Sequence, residues 1–135
     1  MTRAGPATSA KLRRAGVGDL LPRGMIGSGR VRRLDATAFV IPGAGDLAGY
    51  GRSLNERAED FAAWDGVLTL LDPDGEPEHL VAVVDRYGQL YEVTSALDPS
   101  DLPSAHALEE WFRFLATACP ECGVIDDPRP RGWVP

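Results

Sequence analysis

The two cysteines of this chain, Cys119 and Cys122, are the residues whose type and spacing most directly suggest chemistry. They lie in the run "CPECG", after the last predicted helix, and the chain has no other cysteine. A Cys-x-x-Cys pair can serve as a redox dithiol or as half of a zinc site. Three interpretations are therefore open: a metal knuckle, a labile thiol or disulfide pair, and a turn that ends the helix without chemistry.

The position of the pair argues against a redox role. Cys119 follows the C-terminus of the predicted helix, where the helix dipole disfavours a thiolate, and Glu121 lies between the two thiols. If the pair is nevertheless enzymatic, Cys119 is the attacking thiol and Cys122 the resolving one. We expect instead that Pro120 stops the helix and that Gly123 takes the positive φ needed to reverse the chain.

A metal site would need ligands that the chain does not supply alone. Tetrahedral zinc takes four ligands, and His106 lies 13 residues before Cys119, about 20 Å away along one helix. His79 could approach from a strand, which gives three ligands. We therefore predict no resident cofactor. The alternative is a zinc or iron site that Cys119, Cys122 and His79 share with a second chain.

The composition is that of a globular protein, since 44% of the 135 residues are hydrophobic and 25% are charged. No apolar run approaches the ~20 residues that a membrane helix needs. The N-terminal stretch is too polar for a signal peptide, and two cysteines argue against a disulfide framework. The sequence therefore predicts a cytoplasmic protein without a membrane span.

The net charge of −6 is divided unevenly along the chain. Residues 1–33 contain eight of the 14 basic residues and one acidic residue, whereas the rest contains six basic and 19 acidic residues. Because the first stretch also lacks apolar periodicity, we predict a basic arm that is disordered or extended. The arm either docks on an acidic partner, or it is an extension that binds nothing or lies across the acidic body of its own chain. Nucleic acid is disfavoured because the arm has no aromatic residue and the body would repel phosphate.

The rest of the chain predicts a mixed sheet. Residues 34–41 and 67–71 are short apolar strands, and the continuous apolar run 80–84 predicts a central strand buried on both faces. A tight reversal then leads to residues 89–93, whose alternation predicts an edge strand. A crossover helix makes the first two strands parallel, and the hairpin adds antiparallel ones.

Two helices are predicted from apolar stripes at helical spacing. The first lies between the first two strands and begins at Asp46 or, alternatively, at Ser53, which opens a capping box. The second covers about residues 103–118. The two stripes are Leu47, Tyr50, Leu54, Ala58 and Phe61, and Leu108, Trp111, Phe112 and Leu115.

The order β-α-β followed by β-β-α resembles the thioredoxin fold, with the middle helix reduced to the loop "DPDGEPE". The hairpin "VVDRYGQLY", the final helix and the CPECG tail look like the C-terminal half of redoxin-family proteins, the alkyl hydroperoxide reductase and thiol-specific antioxidant group. The resemblance covers about residues 34–124. It implies an α/β, reduced thioredoxin-like domain at 34–118, preceded by the basic arm and followed by the CPECG turn and Pro-rich tail at 119–135.

The resemblance also implies a reactive cysteine where the first strand runs into the first helix, because a helix N-terminus stabilises a thiolate. Residues 42–46 are Pro-Gly-Ala-Gly-Asp, with no cysteine, serine or threonine. The family's catalytic residues therefore do not carry over, and the core is predicted to be a non-catalytic scaffold. Pro77 matches either the family's cis-proline loop or an ordinary trans turn proline.

The predicted function is that of an accessory or assembly subunit that binds a larger protein complex through both of its ends. The resemblance to the family implies that this partner is a redox-enzyme complex. Trp133 lies in the proline-rich run "DPRPRGWVP" and is a candidate anchor for a partner groove. The alternative is a thiol-disulfide oxidoreductase or peroxiredoxin-like enzyme that uses the two cysteines. The predicted partner-binding residues are Arg13, Arg14, Arg32, Arg33, Arg129, Arg131 and Trp133.

Overall fold

The computed structural model of the chain describes residues 6–21 and 35–117. Predictions about residues 1–5, 22–34 and 118–135, including both cysteines and the C-terminal tail, lie outside the described residues. In the part of the chain that is described, no helix has the length and apolarity to cross a membrane. The elements are α1 (Pro6–Arg14), β1 (Ala36–Ile41), α2 (Ala48–Asn55), α3 (Ala58–Ala62), β2 (Gly66–Leu70), β3 (His79–Val84), β4 (Leu90–Ala96) and α4 (Ala105–Thr117).

The four strands form one mixed sheet in the order β2-β1-β3-β4. β1 and β2 run parallel, with Ala36 beside Gly66, as expected for strands joined by a crossover. β3 is antiparallel to both of its neighbours, β1 and β4. The protein is therefore an α/β protein with a mixed sheet, and the predicted parallel pair and hairpin are confirmed.

The two central strands are the most buried part of the fold. Every residue of β1 and of β3 is buried. The continuous apolar run 80–84 predicts this burial on both faces for β3. The hairpin after β3 is closed by Asp85, whose Oδ1 accepts the backbone N–H groups of Tyr87 and Gln89 at 2.9 Å each. Burial raises the pKa of the Asp85 carboxyl, although these hydrogen bonds oppose the shift.

One face of the sheet is covered by α2, α3 and α4. Phe61 of α3 meets Phe112 of α4 edge to face, with ring centroids 5.3 Å apart. Leu108, Phe112 and Leu115 are buried as their spacing predicts, but Trp111 is only half-buried. Its place on the predicted stripe would make Trp111 a core residue, but each residue turns 100° around a helix, so Trp111 lies at the rim of the stripe and packs against the core cluster from there.

The single helix predicted between β1 and β2 is divided into α2 and α3. The break is at Arg57, whose backbone leaves the helical region at φ −104° and ψ 11°. Leu54 of α2 and Phe61 of α3 are both fully buried. Ala58, which was predicted on the apolar stripe, is exposed because the stripe does not continue through the break.

The first of these helices begins at Ala48, and its N-cap position is Leu47, one residue after the predicted start at Asp46. Oδ1 of Asp46 accepts the backbone N–H of Ala48 at 2.9 Å, so the carboxylate satisfies one of the free donors of the first turn. Ser53 lies inside α2, and the alternative start at that residue is therefore wrong.

The other face of the sheet is covered by α1. Leu12 of α1 is fully buried and belongs to a cluster with Phe39, Ile41 and Leu80 of the sheet. For residues 6–21 the prediction of a disordered or extended arm is therefore wrong. A single leucine in a basic segment makes no periodic stripe, and its burial comes from an apolar sheet face that needs a cover.

Charge also ties α1 to the body. Arg13 donates from Nε to Oδ2 of Asp74 at 2.6 Å and from Nη2 to Oδ1 at 2.9 Å. This contact holds the pKa of the Asp74 carboxyl below its usual range. Further along, Gly18 donates its N–H to the oxygen of Leu90, and Leu90 donates to Asp19, both at 2.8 Å. The segment thus lies on the acidic body of its own chain, one of the alternatives that its charge suggests.

Candidate functional site

The turn of residues 42–46 lies between the end of β1 and the start of α2, where the resemblance implies a reactive cysteine. It packs against the segment that leads into β3. Ala44 donates its backbone N–H to the oxygen of Pro77 at 3.1 Å, and Gly43 donates to Nδ1 of His79 at 2.7 Å. The described residues contain no cis peptide bond, so Pro77 is an ordinary trans proline.

The turn approaches this segment so closely at Gly43 that no side chain fits there. A Cβ atom on residue 43 would lie 2.5 Å from the backbone oxygen of Pro77 and from the carbonyl carbon of Glu78. These are backbone atoms, so they cannot swing away as the end of a flexible side chain does. At Gly45, by contrast, the nearest atom to a Cβ would be Nε2 of His79 at 3.5 Å, an ordinary contact. The turn is therefore sealed at one glycine and has room at the other.

His79 lies beneath this turn and is fully buried. Because Nδ1 accepts a hydrogen bond from Gly43, the neutral ring carries its proton on Nε2. That buried Nε2 has no hydrogen-bond partner among the described residues. An unmatched buried donor costs about 1–3 kcal/mol, so the ring is held by its packing and by the bond to Gly43. In this position Nδ1 is already used, and neither nitrogen faces solvent as a ready metal ligand.

The other polar groups near the start of α2 are engaged with the backbone. The carboxylate of Asp46 occupies the N-terminus of the helix, which is where the helix dipole would stabilise a thiolate. The hydroxyl of Tyr50 donates to the oxygen of Pro103 at 2.7 Å, and burial raises the pKa of that phenol above its ordinary range. The turn therefore contains a carboxylate that is hydrogen-bonded to the first residue of α2, and it contains no thiol or hydroxyl that could act as a nucleophile.

Two of the predicted partner-binding residues are described, and their situations differ. The guanidinium of Arg13 is paired with Asp74, and only 15% of its side chain is exposed. Arg14 is exposed and lines a cleft of about 790 Å³ between α1 and the loop after β2. The cleft carries charges of both signs, with carboxylates from Asp72, Glu76 and other loop residues. The remaining predicted residues, Arg32, Arg33, Arg129, Arg131 and Trp133, lie outside the described residues.

Three aromatic side chains form a surface cluster, which we call the aromatic platform: Tyr91 of β4 and Trp111 and Phe114 of α4. The ring of Tyr91 stacks on Phe114 at 5.9 Å and meets Trp111 edge to face at 6.3 Å. Phe114 is 41% exposed, and the other two are half-buried. The i, i+3 spacing of Trp111 and Phe114 was the available signal in the sequence, but only the packing of α4 over the edge strand brings Tyr91 to them.

The described residues do not form a metal centre. In residues 6–21 and 35–117, no three His, Cys, Asp or Glu side chains come together in a group that could hold a metal ion. His106 is exposed on α4, and His79 is buried beneath the turn. Since Cys119 and Cys122 lie outside the described residues, a zinc or iron site shared with another chain stays a prediction.

No protein-family model matches this chain, and neither does any curated protein. What the chain does must therefore be argued from its fold and from its own residues.

Proposed function

We propose that the chain is a non-catalytic accessory or assembly subunit of thioredoxin-like fold, which works by binding a larger protein complex. In keeping with the resemblance, we propose that this partner is a redox-enzyme complex. The fold supports this proposal in two ways. The strand order β2-β1-β3-β4, with β3 antiparallel to its neighbours, agrees with a β-α-β unit followed by β-β-α. In this chain the middle helix of the thioredoxin fold is reduced to a loop, so the second face of the sheet needs another cover. Leu12 of α1 packs on that face.

The close approach at Gly43, in a turn that has no cysteine, is the observation that carries the non-catalytic part of the proposal. A reactive cysteine needs a position with room for its side chain and a free helix N-terminus. At Gly43 a Cβ would lie 2.5 Å from backbone atoms, and at the start of α2 the carboxylate of Asp46 is already in place. A single substitution that restored a cysteine at Gly43 would therefore not restore the chemistry.

The binding part of the proposal now depends mainly on the C-terminal tail. Arg13 is paired with Asp74 of its own chain, so it cannot bind a partner without breaking that pair. Arg14 is exposed and remains a candidate contact. In the tail, Trp133 is the proposed anchor, because a large aromatic side chain beside prolines is typical of residues that dominate binding energy. Arg129 and Arg131 precede Trp133 in the sequence and are the proposed charged contacts.

The proposal is tested by capture of partners from the native source with the tagged full-length chain, followed by cross-linking and mass spectrometry. We expect a defined set of proteins to be retained by the wild type and by the Cys119→Ser/Cys122→Ser variant. Trp133→Ala should weaken that binding by about 2 kcal/mol or more if the residue is a hot spot. If the Cys119→Ser/Cys122→Ser variant loses binding and Trp133→Ala keeps it, the assignment of Trp133 as the anchor is overturned.

The same preparation tests the enzymatic alternative. Purified reduced protein is assayed for insulin reduction and for peroxide consumption, with Cys119→Ser as the control. We expect no turnover above that of the control. Turnover that Cys119→Ser abolishes would establish a thiol-disulfide oxidoreductase or peroxiredoxin-like enzyme and overturn the accessory role.

A further inference from the structure

We propose that the aromatic platform binds the proline-rich C-terminal segment of the same chain, residues 127–135. This inference goes beyond the proposed function because it concerns the free chain, before any partner is bound. The platform presents an exposed Phe114 ring that is stacked on Tyr91 and flanked by Trp111. A fixed group of aromatic rings at the surface is the chemistry that recognises proline-rich segments, whose extended helix is already formed before binding.

The rigidity of the platform suits this role. Trp111 and Tyr91 both pack against the core cluster under α4, and Tyr91 lies on β4 at the irregularity of the ladder opposite Val83 and Val84. Phe114 lies three residues beyond Trp111, so the two rings project from neighbouring positions of the same side of the helix. Rings that are fixed before binding lose little conformational entropy when a proline ring stacks on them.

The chain itself supplies an occupant of the right composition close by. α4 ends at Thr117, three residues after Phe114, which is about 4.5 Å along the helix axis. Eighteen residues follow, and the last nine are "DPRPRGWVP". Pro128 is 11 residues beyond Thr117, a reach of up to about 36 Å in an extended chain, so the segment can return to the platform.

Tethering makes even a weak contact effective. A short linker gives an effective concentration of the order of 1 mM, so a site with a dissociation constant near that value is about half occupied within one chain.

The charges at the site agree with this occupant. Arg129 and Arg131 alternate with prolines in the segment. Glu110 lies four residues before Phe114, hence beside it on the same helix face, and half of its side chain is exposed. Its contact with Arg113 is long, at 3.7 Å, so the carboxylate can also accept a hydrogen bond from an arginine of the segment.

The test uses the full-length purified chain and nuclear magnetic resonance. We expect ordered backbone amides in residues 127–135, with order parameters above about 0.6, and contacts between the Pro128 or Pro130 rings and Phe114. Phe114→Ala should lower those order parameters below about 0.6. The matched control is Tyr87→Ala, which removes a ring that is 42% exposed, compared with 41% for Phe114, and should leave the segment ordered.

A second variant guards against a loss of folding in the first. Pro128→Ala/Pro130→Ala changes only the segment, and it should shift the aromatic signals of Trp111 and Phe114 without changing the thermal midpoint. A segment that is equally disordered in the wild type and in Phe114→Ala would overturn the proposal. Contacts that weaken on tenfold dilution would show that the segment of a second copy occupies the platform, which also overturns binding within one chain.

Discussion

Truncation of Leu12 decides whether the N-terminal helix belongs to the fold. Leu12 is fully buried against Phe39, Ile41 and Leu80, so Leu12→Ala removes three carbon atoms from a packed cluster. Buried Leu→Ala changes cost about 2–5 kcal/mol. We expect a value in the lower half, about 2–3 kcal/mol, because a peripheral helix of nine residues can shift to fill part of the cavity.

The expected loss is a large share of the stability of a small domain, which is typically about 5–15 kcal/mol. For a chain of this size, 1 kcal/mol corresponds to roughly 4 °C in the thermal midpoint, so Leu12→Ala should lower the midpoint by about 10 °C. The control is Leu20→Ala, the same change at a residue that is 72% exposed in the same segment. It should stay within about 0.5 kcal/mol of the wild type.

The assay is urea unfolding of the full chain, followed by tryptophan fluorescence and by circular dichroism. A lower midpoint with an unchanged slope would indicate a loss of stability without a change in the surface exposed on unfolding. If Leu12→Ala and Leu20→Ala both unfold like the wild type, α1 does not pack on the sheet. The extended arm predicted from the charge pattern would then be correct.

Three further outcomes are expected. Gly43→Ala should destabilise the protein by about 1–3 kcal/mol in urea unfolding, because its Cβ meets backbone atoms at 2.5 Å. Gly45→Ala, whose Cβ would lie 3.5 Å from His79, should stay within about 1 kcal/mol of the wild type. Equal effects of the two changes would refute the close approach at Gly43. Since Arg13 lowers the pKa of Asp74 below its ordinary 3.8, the stability from this pair is complete above that pH and is lost as the pH falls further. As the pH is lowered from about 6 to about 2, the free energy of unfolding should therefore fall more steeply for the wild type than for Asp74→Asn. Parallel curves would contradict the pair. Freshly purified reduced protein should contain no stoichiometric zinc or iron by elemental mass spectrometry, with the isolated partner complex measured as a control; one metal per chain would establish the metal-site alternative.

Much of the fold could be predicted from the sequence because its signals are local. The continuous apolar run of β3 identifies a central strand, since a strand without polar alternation has no face for water. The reversal at Asp85 follows from turn chemistry within four residues. In α4, the spacing of Leu108, Phe112 and Leu115 identifies the buried face.

The candidate site could be located from the sequence but not described. The absence of a cysteine from residues 42–46 is visible in the sequence. That Gly43 is closed against Pro77 is not, because the two residues are far apart along the chain and meet only when β1 and β3 pair. The same pairing buries the ring of His79 beneath the turn, where Nδ1 accepts a hydrogen bond from Gly43.

The sequence by itself thus determined the four strands, the buried face of α4 and that the expected position of a reactive thiol is empty, because periodicity and residue type are local properties. Only the tertiary structure decided that α1 covers the second sheet face, that Arg13 is paired with Asp74, and that Tyr91 joins two rings of α4 in one platform. The physical reason is that each of these contacts joins segments distant in the chain. A lone leucine or an isolated aromatic residue acquires a role only when a distant surface comes to lie against it.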